Sequence, residues 1–197
     1  TRYMNRLSDA LYALARLAEH RHDLGRVEGL VRDAVQRALG TDDRLTPDPE
    51  AVAPARFVLP HYDLAMLKVM AEAAESKALE LGVPVVFAGV DAGGNLMLLH
   101  RMADSLLASI QLATDKAFTS AAFRLPTTDL KTPSAADGEL TGIQQSLGGR
   151  VIVFGGGLPG FVGSKPAGGV GVSGGTAGQD AAIVRHAVIT AQEASQS

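Results

Sequence analysis

Apolar residues recur at helical spacing from the start of the chain. Met4, Leu7, Leu11, Leu14 and Ala18 lie three or four apart, on one stripe of a helix. Val27, Leu30, Val31, Ala34, Val35 and Ala38 repeat the period until Gly40, which suits a helix C-cap. Residues 41–60 carry four prolines and charges without a period, which predicts a linker. Leu64, Leu67, Ala71, Ala74, Ala78 and Leu81 then mark a third helix closed by Gly82. The β-rich run 83–90, the turn sequence Asp91-Ala92-Gly93-Gly94-Asn95 and the run 96–102 predict a β-hairpin.

Beyond the hairpin, Asp104 or Ser105 can cap a helix whose stripe is Leu106, Ile110, Ala113, Ala117 and Ala121, with Pro126 closing the region. Loops and short helical turns follow. Residues 151–154 read as an apolar strand running into Gly155-Gly156-Gly157-Leu158-Pro159. A second hairpin turns around 163–166, with 168–173 as the last strand. Thr176 and Gln179 form a capping box for a final helix carrying Ala181, Val184, Val188 and Ala191. Helix, hairpin, helix, hairpin and helix make an α+β domain with an antiparallel sheet.

Composition narrows the function classes. With 46% apolar and 20% charged residues, the 197-residue chain suits one globular domain with extensions. A net charge of -3 with scattered Lys and Arg offers no field for nucleic acid. No uninterrupted apolar stretch has membrane-spanning length, so no membrane partner is expected and the location reads as cytoplasmic. The lack of cysteine removes disulfides, thiolate nucleophiles and iron–sulfur ligation. Twenty-two glycines, concentrated in the C-terminal third, signal tight turns or close backbone approach.

Two motifs mislead. Gly169-Val170-Gly171-Val172-Ser173-Gly174 satisfies G-x-G-x-x-G, but the chain offers no second strand with an acid about 20 residues on, as a dinucleotide site needs. Ser173 has no indicated His–acid partner and is expected to satisfy backbone groups. Asp115-Lys116 reads as a solvated pair on the polar side of its helix.

The run VFAGVDAGGNLMLLHRM at 86–102 resembles the opening hairpin of the GlcG/HbpS family, found also as the C-terminal domain of PduO-type proteins. Ala113-Thr114-Asp115-Lys116-Ala117-Phe118-Thr119 resembles the family's Lys-Ala helix. Residues 154–159 resemble its Gly-Gly-x-Pro loop, and GVGVSGGTAGQD at 169–180 its closing signature. The resemblance spans about residues 62–190 and implies a profilin-like fold, a five-stranded antiparallel sheet flanked by helices. Independently, Arg2-Tyr3-Met4-Asn5-Arg6-Leu7-Ser8-Asp9 resembles the last helix of PduO-type ATP:cob(I)alamin adenosyltransferases. The implied organisation is a helical remnant at 1–40, a linker at 41–60 and a GlcG/HbpS-like domain at 61–197, without adenosyltransferase activity in this chain.

The resemblance implies a tetrapyrrole ligand, haem or cobalamin, in an accessory role linked to cobalamin-dependent metabolism and to a bacterial microcompartment. His61 and His100 are the candidate axial ligands within the domain, and on a regular strand Met102 points the same way as His100. His100 reads equally as a hydrogen-bonded structural residue. Arg101 and Lys116 could meet haem propionates or a small organic acid, with the loop of Gly156, Gly157 and Pro159 bringing backbone N–H groups to the same pocket. A small organic-acid binder or enzyme and an assembly module are the alternatives. Unpartnered apolar stripes in the N-terminal helices favour a homo-oligomer.

Overall fold

A computed structural model describes residues 57–195. The helices expected within 1–40, and most of the linker expected at 41–60, lie outside the described residues. The elements are β1 (Phe57–Leu59), α1 (Leu64–Leu81), β2 (Val86–Asp91), β3 (Leu96–Arg101), α2 (Leu107–Phe123), β4 (Gly157–Val162), β5 (Lys165–Ser173) and α3 (Ala177–Ala194). Short 3-10 turns at Thr127–Leu130, Ile143–Gln145 and Leu147–Gly149 punctuate the loop between α2 and β4.

The five strands form one sheet in the order β1-β4-β5-β2-β3. Helices α1 and α3 cover one face and α2 the other. Met70, Ala74, Phe87, Val170, Val172, Val184 and Val188 fill the first layer, whereas Val86, Ala88, Val90, Ala113 and Ala117 fill the second. The strict alternation of β2, with Phe87 on one side and Val86 and Ala88 on the other, is the two-residue period of a strand buried on both faces.

Local signals in the sequence set several boundaries. Gly82 closes α1 in the left-handed region at φ 64°, its N–H returning to Ala78 and Leu79 carbonyls. The Asp91 carboxylate accepts from the Gly93 and Asn95 N–H groups and shapes the β2–β3 turn. Thr176 and Gln179 form the reciprocal capping box of α3.

Four expectations need correction. The sheet is not wholly antiparallel, because β1 pairs parallel with β4. Helix α1 returns the chain to the end of the sheet where β1 began, so β2 must run in the same direction as β1, and β4 shares that direction. Strand β1 itself lies inside the stretch read as linker: Phe57 and Leu59 turn inward while Val58 stays exposed. Residues 151–154 form no strand. The Thr119 hydroxyl of α2 donates to the Arg150 carbonyl at 3.1 Å and accepts from the Ile152 N–H at 3.0 Å, so the groups a strand would pair are committed to a helix side chain. The true strand is the glycine-rich GLPGFV of β4, whose composition conceals its β character. Finally, Leu106 is the N-cap of α2, without a side-chain bond, while the Ser105 hydroxyl donates to the Met102 carbonyl.

Glycines set the distance between α2 and the sheet. A Cβ on Gly171 would lie 2.2 Å from the Ala113 carbonyl oxygen, and one on Gly169 would lie 2.4 Å from that of Ala117. At both positions the helix backbone is the nearest neighbour of β5. We therefore expect Gly171→Ala to destabilise the fold by about 2–4 kcal/mol, since rigid backbone must shift. Gly178→Ala, in the first turn of α3 with nothing within 4 Å of the new methyl, should add roughly 0.5–1 kcal/mol. Urea denaturation of the two variants checks both signs.

Candidate functional site

Three distant sequence segments meet at the Lys116 ammonium. Lys116 projects from α2 toward the end of β5, is fully buried, and donates to the Val172 carbonyl at 2.9 Å and to the Asp180 carboxylate at 2.6 Å. Asp180 comes from the first turn of α3 and is 2% exposed. Its other oxygen accepts from the Gly175 N–H at 2.9 Å. The Phe154 ring lies 5.0 Å from the ammonium. Gly156 supplies the passage, because a Cβ there would lie 2.6 Å from the Val172 oxygen and 2.8 Å from Lys116 Nζ. Its φ of 120° is also one that side-chain-bearing residues rarely adopt.

Burial pushes the Lys116 ammonium below its ordinary pKa and the Asp180 carboxyl above its own, and in each case the partner's charge opposes the shift. The short contact and the additional donors and acceptors on both groups favour the ionised pair.

Asp115, expected with Lys116 on a solvated surface, is buried as well. Arg150 Nε donates to it at 3.0 Å and Gln111 at 2.8 Å, while the Arg150 guanidinium stacks 3.7 Å above the Phe118 ring. The polar flank of α2 is covered by the loop that follows the helix, which its own periodicity does not reveal. Thr127, also fully buried, accepts from the Gly157 N–H at 2.9 Å.

The remaining expected site residues are dispersed. Gly156 and Gly157 line a surface cleft of about 340 Å³, shared with Phe57, Pro126, Asp129 and Arg185. Pro159 is buried in β4 opposite Gly169; β1 begins pairing only at Gly160, so the missing N–H of Pro159 costs no bond to β1. Arg101 is exposed on the edge strand β3 and donates to the Ser105 hydroxyl at 3.2 Å. No described hydrogen bond or ion pair joins it to Lys116.

His100 and Met102 share the α1 side of the sheet. His100 is opposite Phe87, with its Nε2 2.7 Å from the Glu75 carboxylate of α1. Met102 packs on the α1 core, and its sulfur accepts from the Val85 N–H at 3.4 Å. His61 precedes α1 with a 53% exposed side chain, its Nε2 3.9 Å from Asp63. Its neighbour Tyr62 fixes the backbone there. The Tyr62 hydroxyl is within bonding distance of the Val90 and Gly169 carbonyls, at 2.9 and 2.8 Å, and its ring crosses Gly160 and Gly168.

A family model described as haem degrading protein HbpS-like matches residues 63–189. The chain belongs to the HbpS-like family. Its relatives include an uncharacterised 15.0 kDa protein encoded between dhaT and dhaS in Citrobacter freundii, 42% identical over 64% of this chain and 88% of that protein. The corrinoid adenosyltransferase PduO of the same organism is 35% identical over 95% of this chain and 52% of its own length. The chain thus spans about half of that relative. Among solved structures, a PduOC:heme complex is 36% identical, covering 66% of this chain and 94% of its own, with a TM-score of 0.64. Among the described residues no helix is long and apolar enough to cross a membrane, and no cluster of three or more His, Asp or Glu could hold a metal ion.

The sequence reading missed Asp180, Arg185, Phe57 and Thr127. Asp180 closes the GVGVSGGTAGQD block, where an acid in a first helical turn reads as a helix-dipole partner. Only the fold reveals that its charge serves Lys116. Lys116→Met alone strands a buried carboxylate and should cost about 3–5 kcal/mol, whereas Lys116→Met combined with Asp180→Leu should recover most of that loss. A double-mutant cycle in urea tests the coupling.

Burial also raises the Tyr62 phenol well above its ordinary value. A phenol held protonated in the fold contributes stability that is present below the unfolded-state pKa, about 10, and is lost as pH rises beyond it. Stability should therefore fall above pH ~10, and Tyr62→Phe should flatten that decline in alkaline denaturation curves.

Proposed function

We propose that this chain is a haem-binding domain with an accessory role in corrinoid metabolism. The observation that carries the reading is the likeness to the PduOC:heme complex, at 36% identity over two thirds of this chain. The corrinoid link rests on the PduO relatives. The chain spans about half the length of PduO, and the adenosyltransferase activity is named for that relative. A haem held here would supply an iron with a coordination position for a nitrogen donor.

The donor set of the domain suits that iron. It contains no cysteine, and of its three histidines, His61, His100 and His186 of α3, the first two are the candidate donors and are partly or largely exposed. Among the described residues the His61 imidazole has only the loose approach of Asp63, and the neighbouring Tyr62 anchors its backbone, so it is the readier axial ligand. In His100 the Glu75 carboxylate already occupies Nε2, leaving Nδ1 to face an incoming metal; a carboxylate behind a ligating imidazole raises its basicity. Met102, with its sulfur turned to the Val85 amide, is the weaker donor. A direct contact between Lys116 and a propionate would require the Asp180 pair to open. We assign Lys116 instead to holding the Gly156 passage in shape, and leave Arg101 as the exposed cation for a propionate. Exposed Leu96 and Leu99 on the edge strand β3, with Leu106 and Leu107 at the entry to α2, support a homo-oligomer.

Hemin titration followed by visible absorption tests this reading. The full chain should give a saturating Soret shift that is lost in His61→Ala and weakened in His100→Ala. A shift retained in both variants would remove the axial assignment, and no specific shift in the full chain would remove the haem function itself.

A further inference from the structure

The cleft beside Gly156 and Gly157 has the chemistry of a small-molecule site separate from either histidine. Its volume of about 340 Å³ is at the lower end for such pockets. One wall is apolar and rigid: Phe57 of β1, Leu158 of β4 and Val184 of α3 all belong to the core. The other carries Thr128 and Asp129 from the 3-10 turn after α2. That turn is fixed by the buried Thr127, whose hydroxyl holds the Gly157 N–H.

Arg185 supplies the recognition element. Its guanidinium lies 5.7 Å from the centre of the Phe57 ring, lines the cleft, and forms no ion pair with any described residue. An arginine held beside an aromatic ring by a cation–π contact keeps its fork of donors available for a carboxylate. Asp129 lines the same cleft without an ion pair among the described residues, and as a carboxylate it can only accept hydrogen bonds. Among the described residues, a cation and an acceptor without ion pairs line one small cleft and define a ligand of complementary polarity.

We propose that this cleft binds a small carboxylate bearing a hydroxyl or ammonium donor. The carboxylate pairs with Arg185, the donor with Asp129 and Thr128, and the short carbon skeleton lies against Phe57 and Leu158. The site is built from β1, β4, α3 and the 127–130 turn, and it uses neither His61 nor His100.

The test is a backbone amide NMR titration of the full chain with lactate, glycine, acetate and methyl lactate. Lactate or glycine should shift the Asp129, Gly156, Gly157 and Ala181 amides saturably, with acetate weaker and methyl lactate, which lacks the anion, inert. Arg185→Gln, an exposed change that leaves the core intact, should weaken binding roughly tenfold or more. Asp129→Asn should weaken glycine more than acetate. No saturable shift at these amides, or equal binding by Arg185→Gln, overturns the site; acetate binding as tightly as lactate and glycine overturns the part given to Asp129. The hemin Soret response should be unchanged in Arg185→Gln, so failure of the carboxylate site and failure of the haem reading are separately visible.

Discussion

An ammonium withdrawn from water must direct its protons to acceptors, and Lys116 does so by reaching from one face of the sheet to the helix that covers the other. Its bonds to the Val172 carbonyl and the Asp180 carboxylate join α2, the end of β5 and the first turn of α3. That reach is possible only if α2 lies close to the sheet and the chain beside the ammonium lacks a side chain. Gly169 and Gly171 satisfy the first condition and Gly156 the second. The glycine-rich loop, the buried pair and the position of α3 are one constraint expressed in three parts of the chain.

What could be read from the sequence followed the range of the interaction. The Asp91–Asn95 turn, the Gly82 cap and the Thr176–Gln179 box are made by residues within a few positions of one another, and each is where its local chemistry places it. The family motifs likewise pointed to the three segments that converge on Lys116. Burial of Asp115 depends on Arg150, 35 residues away, and that of Lys116 on Asp180, 64 residues away, so helical periodicity assigned both to solvent. Strand β4 was obscured because Gly157 serves packing against α2 and Gly160 packing against the Tyr62 ring, at the expense of β propensity. The 151–154 run has the composition of a strand, but its Ile152 N–H is bound by the Thr119 hydroxyl.

The candidate sites divide in the same way. His61 and His100 were legible as nitrogen donors in a chain without cysteine, and both side chains are accessible. The cleft was not legible, since Phe57, Asp129, Gly156 and Arg185 approach one another only when an edge strand, a 3-10 turn, a loop and a helix are assembled. The buried Lys116 pair lies behind its Gly156 wall and gives that wall a fixed backbone against which side chains of the rim can work.

The contrast between the two faces of the sheet bears on how such a domain can change over time. Beneath α1 and α3 the contacts are between side chains such as Met70, Phe87 and Val184, where a loss of volume at one position can be matched by a gain at another. Beneath α2 helix backbone rests on strand backbone at Gly169 and Gly171, and no compensating substitution restores space taken by a methyl group on Gly171. Sequence drift is therefore channelled to one side of the molecule. New ligand preferences can arise there and around the rim while the α2 face keeps its small residues, so the architecture outlasts any particular binding role.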